Sequence, residues 1–208
     1  MTDDAALPLF LLPLTALPGE EVPLHVFEPR YRALVAHCEA TGDEFGVLYV
    51  DDEGVREIGC AVAIERIVTR HDDGRVDLVA RGTRRFELTG ELTEGAFPNA
   101  PVAWVHDDPI NPHADDEADP EEALDLFRTL AERVTGEVPE LGDDGDPSFR
   151  IASRVAFGAA AKQGLLELRS EAQRLRLLER LLRAALARLE QVELQEAAAR
   201  SNGKVHFE

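Results

Sequence analysis

The stretch PLHVFEPRYRALVAH, residues 23–37, passes directly from a strand pattern into a helix pattern. Pro29 suits a first helical position, because its missing N–H would find no partner inside the helix there. Glu28 lies four residues before Arg32, so these two side chains can pair if the first turn is helical. Apolar residues then recur at helical spacing, which predicts a helix ended by Gly42 with one buried face: Tyr31, Leu34, Val35 and Cys38. The stretch therefore predicts a fixed corner between a strand and a helix.

The rest of the first half consists of short apolar runs separated by turn signals. Asp73-Gly74 is a strong hairpin signal between two of these runs. RGTRRF, residues 81–86, is a basic cluster that could contact phosphate, but it favours a strand corner in which Gly82 allows a tight bend, Phe86 faces the core and the arginines meet acidic residues. The strand candidates are residues 7–14, 22–27, 45–50, 58–68, 76–81, 84–88 and 102–105. This series of short strands favours a closed or partly closed barrel over an α/β sheet.

The second half has the patterns of helices and acidic loops. The helix candidates are residues 120–138, 148–157, 159–168 and 171–198. Residues 107–122 are strongly acidic and predict a solvated connector or an acidic lead into a helix, and residues 142–147 form a second acidic loop. The last helix carries a heptad seam: Leu175, Leu178, Leu182, Ala185, Leu189 and Val192. The sequence thus predicts an α+β protein with a barrel subdomain over residues 1–108, a helical bundle over 109–200 and a tail over 201–208.

The charge balance is strongly acidic, with 41 acidic residues against 22 basic ones and a net charge of −19. Such a surface repels nucleic acid phosphates and anionic membranes. We interpret it as the general acidity of a proteome, as in a salt-loving organism. The first charged residues are Asp3 and Asp4, whereas a secretory signal begins with a basic region. No apolar run approaches the roughly 18–20 residues of a membrane span. These features predict a cytoplasmic protein that binds neither nucleic acid nor membrane.

The sequence offers little support for catalysis. It contains no G-x4-G-K-[ST] nucleotide loop and no G-x-S-x-G nucleophile elbow. Ser153 and Lys162 are a conceivable Ser–Lys pair, but they fall on different predicted helices. His37 and Cys38 are helix neighbours, whose side chains do not face each other. The six histidines show no metal-ligand spacing. We therefore expect no catalytic residue, no metal and no cofactor.

Taken in order, these signals resemble those of the Lon protease N-terminal domain, the family of substrate-binding domains of Lon proteases. The opening part of the resemblance is LPLFLLPLTALPGEEVPLHVFEPRYRALV, residues 7–35. It continues through Phe45-Gly46-Val47, Gly59 to Ile64, Asp73-Gly74-Arg75 and Gly82 to Phe86. KQGLLELRSEAQRLRLLERLL, residues 162–182, resembles the helical part of the same domain. Many separate motifs occur in the right order between residues 7 and 192.

The resemblance implies a PUA-like β-barrel followed by an α-helical bundle. It implies a structural rather than catalytic role for the corner residues, which are Phe27, Glu28, Arg30 and Tyr31 at the helix start and Arg85 and Phe86 in the later strand. In the Lon family the ATPase and the Ser–Lys protease domain lie downstream, and this chain stops before either. The resemblance to a stand-alone form of the domain therefore implies substrate recognition without proteolysis.

The leading hypothesis is a non-catalytic module that holds unfolded or extended protein segments in a groove, such as one between barrel and bundle. Tyr31, Phe97 and Trp104 are the candidate peptide contacts. A separate ATP-dependent protease is a further candidate partner. The alternatives are a cryptic hydrolase, an RNA-binding PUA-like module and self-association through the heptad seam.

Overall fold

A computed structural model describes residues 5–109, 119–142 and 145–202 of the 208-residue chain. Seven strands in the first half are β1 (Ala5–Leu12), β2 (Glu21–Val26), β3 (Phe45–Asp51), β4 (Gly54–Val55), β5 (Ile58–Arg70), β6 (Val76–Leu88) and β7 (Asn99–Trp104). One helix, α1 (Pro29–Thr41), is inserted among them. The helices of the second half are α2 (Pro120–Thr135), α3 (Pro147–Ala152), α4 (Ala159–Glu167) and α5 (Glu171–Asn202). The α+β class and its order, sheet before helices, are confirmed.

Five of the strands close into a ring, in the order β1-β7-β6-β5-β3 and back to β1. The closing contact is a parallel pairing in which Leu9–Leu12 of β1 lie beside Gly46–Tyr49 of β3. The other ring pairings are antiparallel. Strand β2 pairs with β6 outside this circuit, and β4 forms a short hairpin with β3. The barrel that the sequence predicted is therefore present.

The interior of the ring is filled around Phe86. Its ring is completely buried in a cluster to which all five ring strands contribute: Leu7, Leu9, Leu48, Ala61, Phe86, Ala100 and Val102. A Cβ atom on Gly46 would lie 2.6 Å from the Phe86 ring, and one on Gly59 would lie 2.5 Å from it. Both glycines are therefore required by the close approach of an aromatic ring, and the prediction that Phe86 faces the core is confirmed.

The predicted helix is also confirmed. Helix α1 begins at Pro29, ends against a left-handed Gly42 and buries the four predicted apolar residues. The charge pairing at its start differs from the prediction, because Glu28 accepts a hydrogen bond from Arg30 Nε at 3.0 Å rather than pairing with Arg32. Arg32 instead packs against Gly74 of the β5–β6 hairpin.

Two predicted boundaries were wrong. Residues 76–81 and 84–88 form one continuous strand, β6, which passes through Gly82 with a shift of register against β5. A Cβ atom on Gly82 would lie 2.0 Å from the carbonyl oxygen of Leu17, so this glycine is required by a close backbone approach. In the helical half, the candidate at 148–157 shortens to α3, which ends at Ala152.

A larger apolar cluster continues from the outer face of the barrel into the helices. It includes the buried face of α1, residues of β2 and β6, and Phe127, Phe149 and Leu165 from three of the later helices. Leu175, Leu178 and Leu182 of the heptad seam are buried in it, whereas Val192 is 45% exposed. The first half of the seam is thus used inside the molecule. The division into subdomains at residue 108 stays a prediction.

Candidate functional site

A groove beside β7 brings together two of the three predicted aromatic contacts. This groove, called here the Phe97–Trp104 groove, has a volume of about 570 Å³. Phe97 and Trp104 line it and are both half-buried. Its other walls come from the start of β1, the end of α1 with the following loop, and β6: Ala6, Leu7, Pro8, His37, Gly42, Asp43, Glu44, Arg84 and Asn99.

Trp104 is held in place by a stacked arginine. The guanidinium carbon of Arg84 lies 3.5 Å from the centre of the Trp104 ring. Arg84 also donates two hydrogen bonds to Glu44 Oε2, at 3.2 Å from Nε and 2.9 Å from Nη2. Cation–π stacking and a charged hydrogen-bond partner fix the guanidinium plane. The groove therefore presents one face of an oriented indole beside a paired charge.

Phe97 is the second aromatic residue that lines the groove. Its ring centre lies 5.2 Å from that of His37, on the last turns of α1. His37 Nε2 in turn lies 3.7 Å from Asp43 Oδ2, in the loop that leads to β3. The aromatic surface is consequently bordered by side chains that can donate or accept hydrogen bonds.

Tyr31, the third predicted contact, does not line this groove. It is only 2% exposed, and its ring centre lies 4.0 Å from that of Phe10 on β1. Its hydroxyl donates to the carbonyl oxygen of Leu11 at 3.4 Å, and burial raises the pKa of this hydroxyl. On its other side, the guanidinium carbon of Arg30 lies 4.5 Å from the ring centre. Tyr31 joins α1 to the strand β1 that forms one wall of the groove.

The remaining corner residues fall in two different environments. Phe27 is 58% exposed, 5.9 Å from the ring of His25. Arg85 is buried and donates to the carbonyl oxygens of Leu166 at 3.0 Å and Leu168 at 2.6 Å. Arg85 therefore connects the barrel to the end of α4, while Phe27 remains open to solvent.

A second concavity lies between the barrel and the helices, where the sequence suggested a groove. Its volume is about 510 Å³. Arg81, Gly82 and Thr83 of β6 face Phe149 of α3 across this barrel–helix cleft. Ser153 also lines it. The two concavities are separate, and the aromatic pair belongs to the Phe97–Trp104 groove.

The conceivable Ser–Lys pair is not formed. Ser153 donates its hydroxyl to the carbonyl oxygen of Arg150 at 2.9 Å. Lys162 forms an ion pair with Glu20. Burial raises the pKa of Glu20, although Lys162 acts in the opposite direction. Each member is thus engaged with another partner.

The two thiols are buried as well. Burial raises the pKa of Cys38 to about 11 and that of Cys60 further. A thiol becomes a good nucleophile when its pKa is lowered, not raised. Both cysteines therefore behave as small core side chains, as the sequence predicted.

A buried arginine, Arg174 on α5, was missed by the sequence analysis. It is completely buried and donates to both oxygens of Asp107, at 2.7 and 2.6 Å. It also donates to Asp146 Oδ2 at 2.9 Å and to Glu171 Oε2 at 2.9 Å. Ser148 closes the cluster, because its hydroxyl donates to Glu171 at 2.6 Å and accepts from Arg174 Nε at 3.0 Å. This Arg174 cluster joins the end of the barrel to α3 and α5.

Asp107 and Asp146 lie in the two acidic stretches and are exposed, as predicted, but both also form ion pairs with the buried Arg174. Burial acts to raise the pKa of Asp107, but hydrogen bonds and charge from Arg174 outweigh it and hold that pKa below its usual range. Arg85 also contacts Asp107. The remainder of the first stretch, residues 110–118, lies outside the described residues, as do residues 143 and 144 of the second.

One group of metal-ligating side chains occurs in the described part of the chain, formed by His25, His71 and Asp77. These residues are scattered in the sequence, and only the β2–β6 pairing and the β5–β6 hairpin bring them together. Within the described residues, the helices are all too short or too polar to cross a membrane.

Comparison with known families and structures gives consistent matches. A sequence model of the ATP-dependent protease La (LON) substrate-binding domain matches residues 6–184. The crystal structure of a Lon N-terminal domain protein from Xanthomonas campestris is 31% identical, covers 84% of this chain and 96% of that chain, and superposes with a TM-score of 0.61. The N-terminal domain of Mycobacterium avium complex Lon protease has the same fold at 20% identity, with 86% and 98% covered and a TM-score of 0.68.

Proposed function

Because this chain belongs to the family of ATP-dependent protease La (LON) substrate-binding domains, we propose that it is a non-catalytic module that binds unfolded or extended segments of other proteins. The observation that carries this proposal is the Phe97–Trp104 groove, where two half-buried aromatic rings flank a concave surface. Aromatic side chains offer a large contact area at low conformational cost, and they recur as anchors in binding sites.

The size and lining of the groove suit a short peptide segment. Its volume of about 570 Å³ lies within the roughly 300–1,000 Å³ of typical ligand sites. An apolar side chain of the ligand would pack between Phe97 and Trp104. The Arg84–Glu44 pair and the His37–Asp43 pair at the border would contact the polar backbone or charged side chains of the ligand. Such a site binds through shape complementarity and apolar contact, and it has little sequence specificity.

Strand β1 supports main-chain recognition. It pairs with β7 over Ala5–Pro8 and with β3 only from Leu9 onward. Residues Ala6–Pro8 line the groove. Among the described residues, this part of β1 therefore pairs with a strand on one side only. An extended peptide can add to such an edge through backbone hydrogen bonds. In this proposal Tyr31 supports the groove indirectly, because it holds β1 against α1.

Fluorescence anisotropy with labelled, unstructured peptides tests the proposal. We expect saturable binding by the wild-type protein and at least tenfold weaker binding by Phe97→Ala and Trp104→Ala. An interface anchor removed in this way costs about 1–2 kcal/mol or more, and 1.4 kcal/mol is tenfold. Ser153→Ala in the barrel–helix cleft is the matched control and should bind as the wild type does. Absence of saturable binding at millimolar peptide would refute the module, and a loss confined to Ser153→Ala would move the site to the cleft.

We further propose that the module acts in the cytoplasm beside a separate ATP-dependent protease. The sequence has no G-x4-G-K-[ST] nucleotide loop, and Ser153 and Lys162 each bind another partner, so in this proposal a separate protein degrades the captured segment. Capture of such a protease from native extract by the wild type, but not by unrelated acidic protein of similar charge, supports this partnership. Capture by both proteins would show that the interaction depends on charge alone and would contradict a specific partnership.

A further inference from the structure

Three side chains converge on the solvent side of the β5–β6 hairpin. His25 on β2 and Asp77 on β6 are directly opposite each other in the antiparallel ladder. His71 lies just after β5, where its backbone closes the hairpin through a bond from His71 N to the Arg75 oxygen at 2.9 Å. Because β6 runs between β2 and β5, the carboxylate of Asp77 is flanked by an imidazole on each side.

The contacts within this His25–His71–Asp77 cluster are short and specific. His25 Nδ1 lies 2.5 Å from Asp77 Oδ1, and His71 Nε2 lies 2.7 Å from Asp77 Oδ2. The nitrogen and oxygen atoms all lie within 4.8 Å of one another. In a tetrahedral site with bonds of about 2.0–2.2 Å, ligand atoms lie roughly 3.3–3.6 Å apart. Small side-chain rotations therefore suffice to place all three around one ion.

Asp77 pairs with two imidazoles although two arginines lie in the same hairpin. Arg70 and Arg75 from the same hairpin pair with Glu39 and Asp73 instead. In the described residues, the Asp77 side chain contacts the two imidazoles. The side chains of His25, His71 and Asp77 are 50%, 32% and 33% exposed, so an ion can reach them from solvent.

We propose that His25, His71 and Asp77 form a binding site for a divalent transition metal ion of the zinc class. Two imidazoles and one carboxylate are a ligand set that zinc accepts, and three protein ligands leave one position open to water or to a ligand from another molecule. A net charge of −19 raises the local concentration of cations near the surface. Magnesium does not fit, because it prefers oxygen ligands in an octahedral shell.

Calorimetric titration of the untagged full chain with zinc chloride tests this site. We expect one ion per chain, no comparable binding of magnesium, and at least tenfold weaker zinc binding by a His25→Ala/His71→Ala double variant. Removing a residue that only hydrogen-bonds to a metal ligand lowers metal affinity about 10–100-fold. Removing two of the ligands themselves should lower the affinity at least as much. His37→Ala is the matched control, since His37 forms a single histidine–carboxylate pair with Asp43 at 3.7 Å.

Asp77→Asn is a second variant that keeps the size of the side chain. It should also weaken zinc binding at least tenfold while circular dichroism shows an intact fold. Equal zinc affinity in the wild type and the double variant would overturn the proposal, and so would the absence of saturable binding at millimolar zinc.

Discussion

Replacing Arg174 by methionine tests whether the buried cluster between barrel and helices holds the two halves together. Methionine keeps much of the aliphatic volume of the side chain and removes the guanidinium. The change leaves Asp107, Asp146 and Glu171 without their shared cation. Removing one partner of a buried charge pair costs roughly 3–5 kcal/mol. The three carboxylate side chains are 32%, 50% and 29% exposed, so water can rehydrate them in part.

We therefore expect the free energy of unfolding to fall by about 3 kcal/mol, the lower end of that range. For a chain of this size the melting temperature would fall by roughly 6–12 °C. Urea unfolding followed by circular dichroism measures the change. Arg183→Met is the matched control on the same helix, because Arg183 is 48% exposed where it pairs with Glu122 and Glu179. Its loss should cost less than about 1 kcal/mol. An Arg174→Met protein within about 0.5 kcal/mol of the wild type would refute this account of the junction.

Two further predictions concern the barrel and the acid response. Gly59→Ala places a Cβ atom 2.5 Å from the Phe86 ring and 2.6 Å from the carbonyl oxygen of Val47. In urea titrations this substitution should lower the free energy of unfolding by about 1–3 kcal/mol. Gly95→Ala is the control and should change the free energy of unfolding little, because the nearest atom to its Cβ would lie at 3.8 Å. The folded-state pKa of Asp107 lies below its ordinary value, so its contribution to stability is present above roughly pH 4 and is lost as the pH falls through the lowered pKa. Asp107→Asn should therefore lose less stability than the wild type between roughly pH 4 and pH 2, and equal losses in the two proteins would contradict this assignment.

The local elements of the barrel half were largely predictable because their signals are short-range. The spacing of Tyr31, Leu34, Val35 and Cys38 defined the buried face of α1, and Pro29 and Gly42 defined its ends. Phe86 faced the core as expected, but the need for Gly46 and Gly59 beside it follows only from the closed ring.

The clusters were not predictable, because they depend on contacts between residues far apart in the chain. Arg174 and Asp107 are separated by 67 positions, and His25 and Asp77 by 52. Asp107 and Asp146 each lie in a run of acids, where the local pattern indicates solvent exposure but not an ion pair with a buried arginine. Phe97 and Trp104 could be named as aromatic candidates, but their common groove, and the place of Arg84 and His37 in it, required the fold.

The proposal of peptide binding is tested most directly by the emission of Trp104, the single tryptophan of the chain. Titration with an unstructured peptide that lacks tryptophan should give a saturable blue shift, because the bound segment covers the exposed face of the indole. The shift should be weaker at every peptide concentration in Phe97→Ala. Saturable binding by anisotropy with unchanged Trp104 emission would contradict this placement of the site.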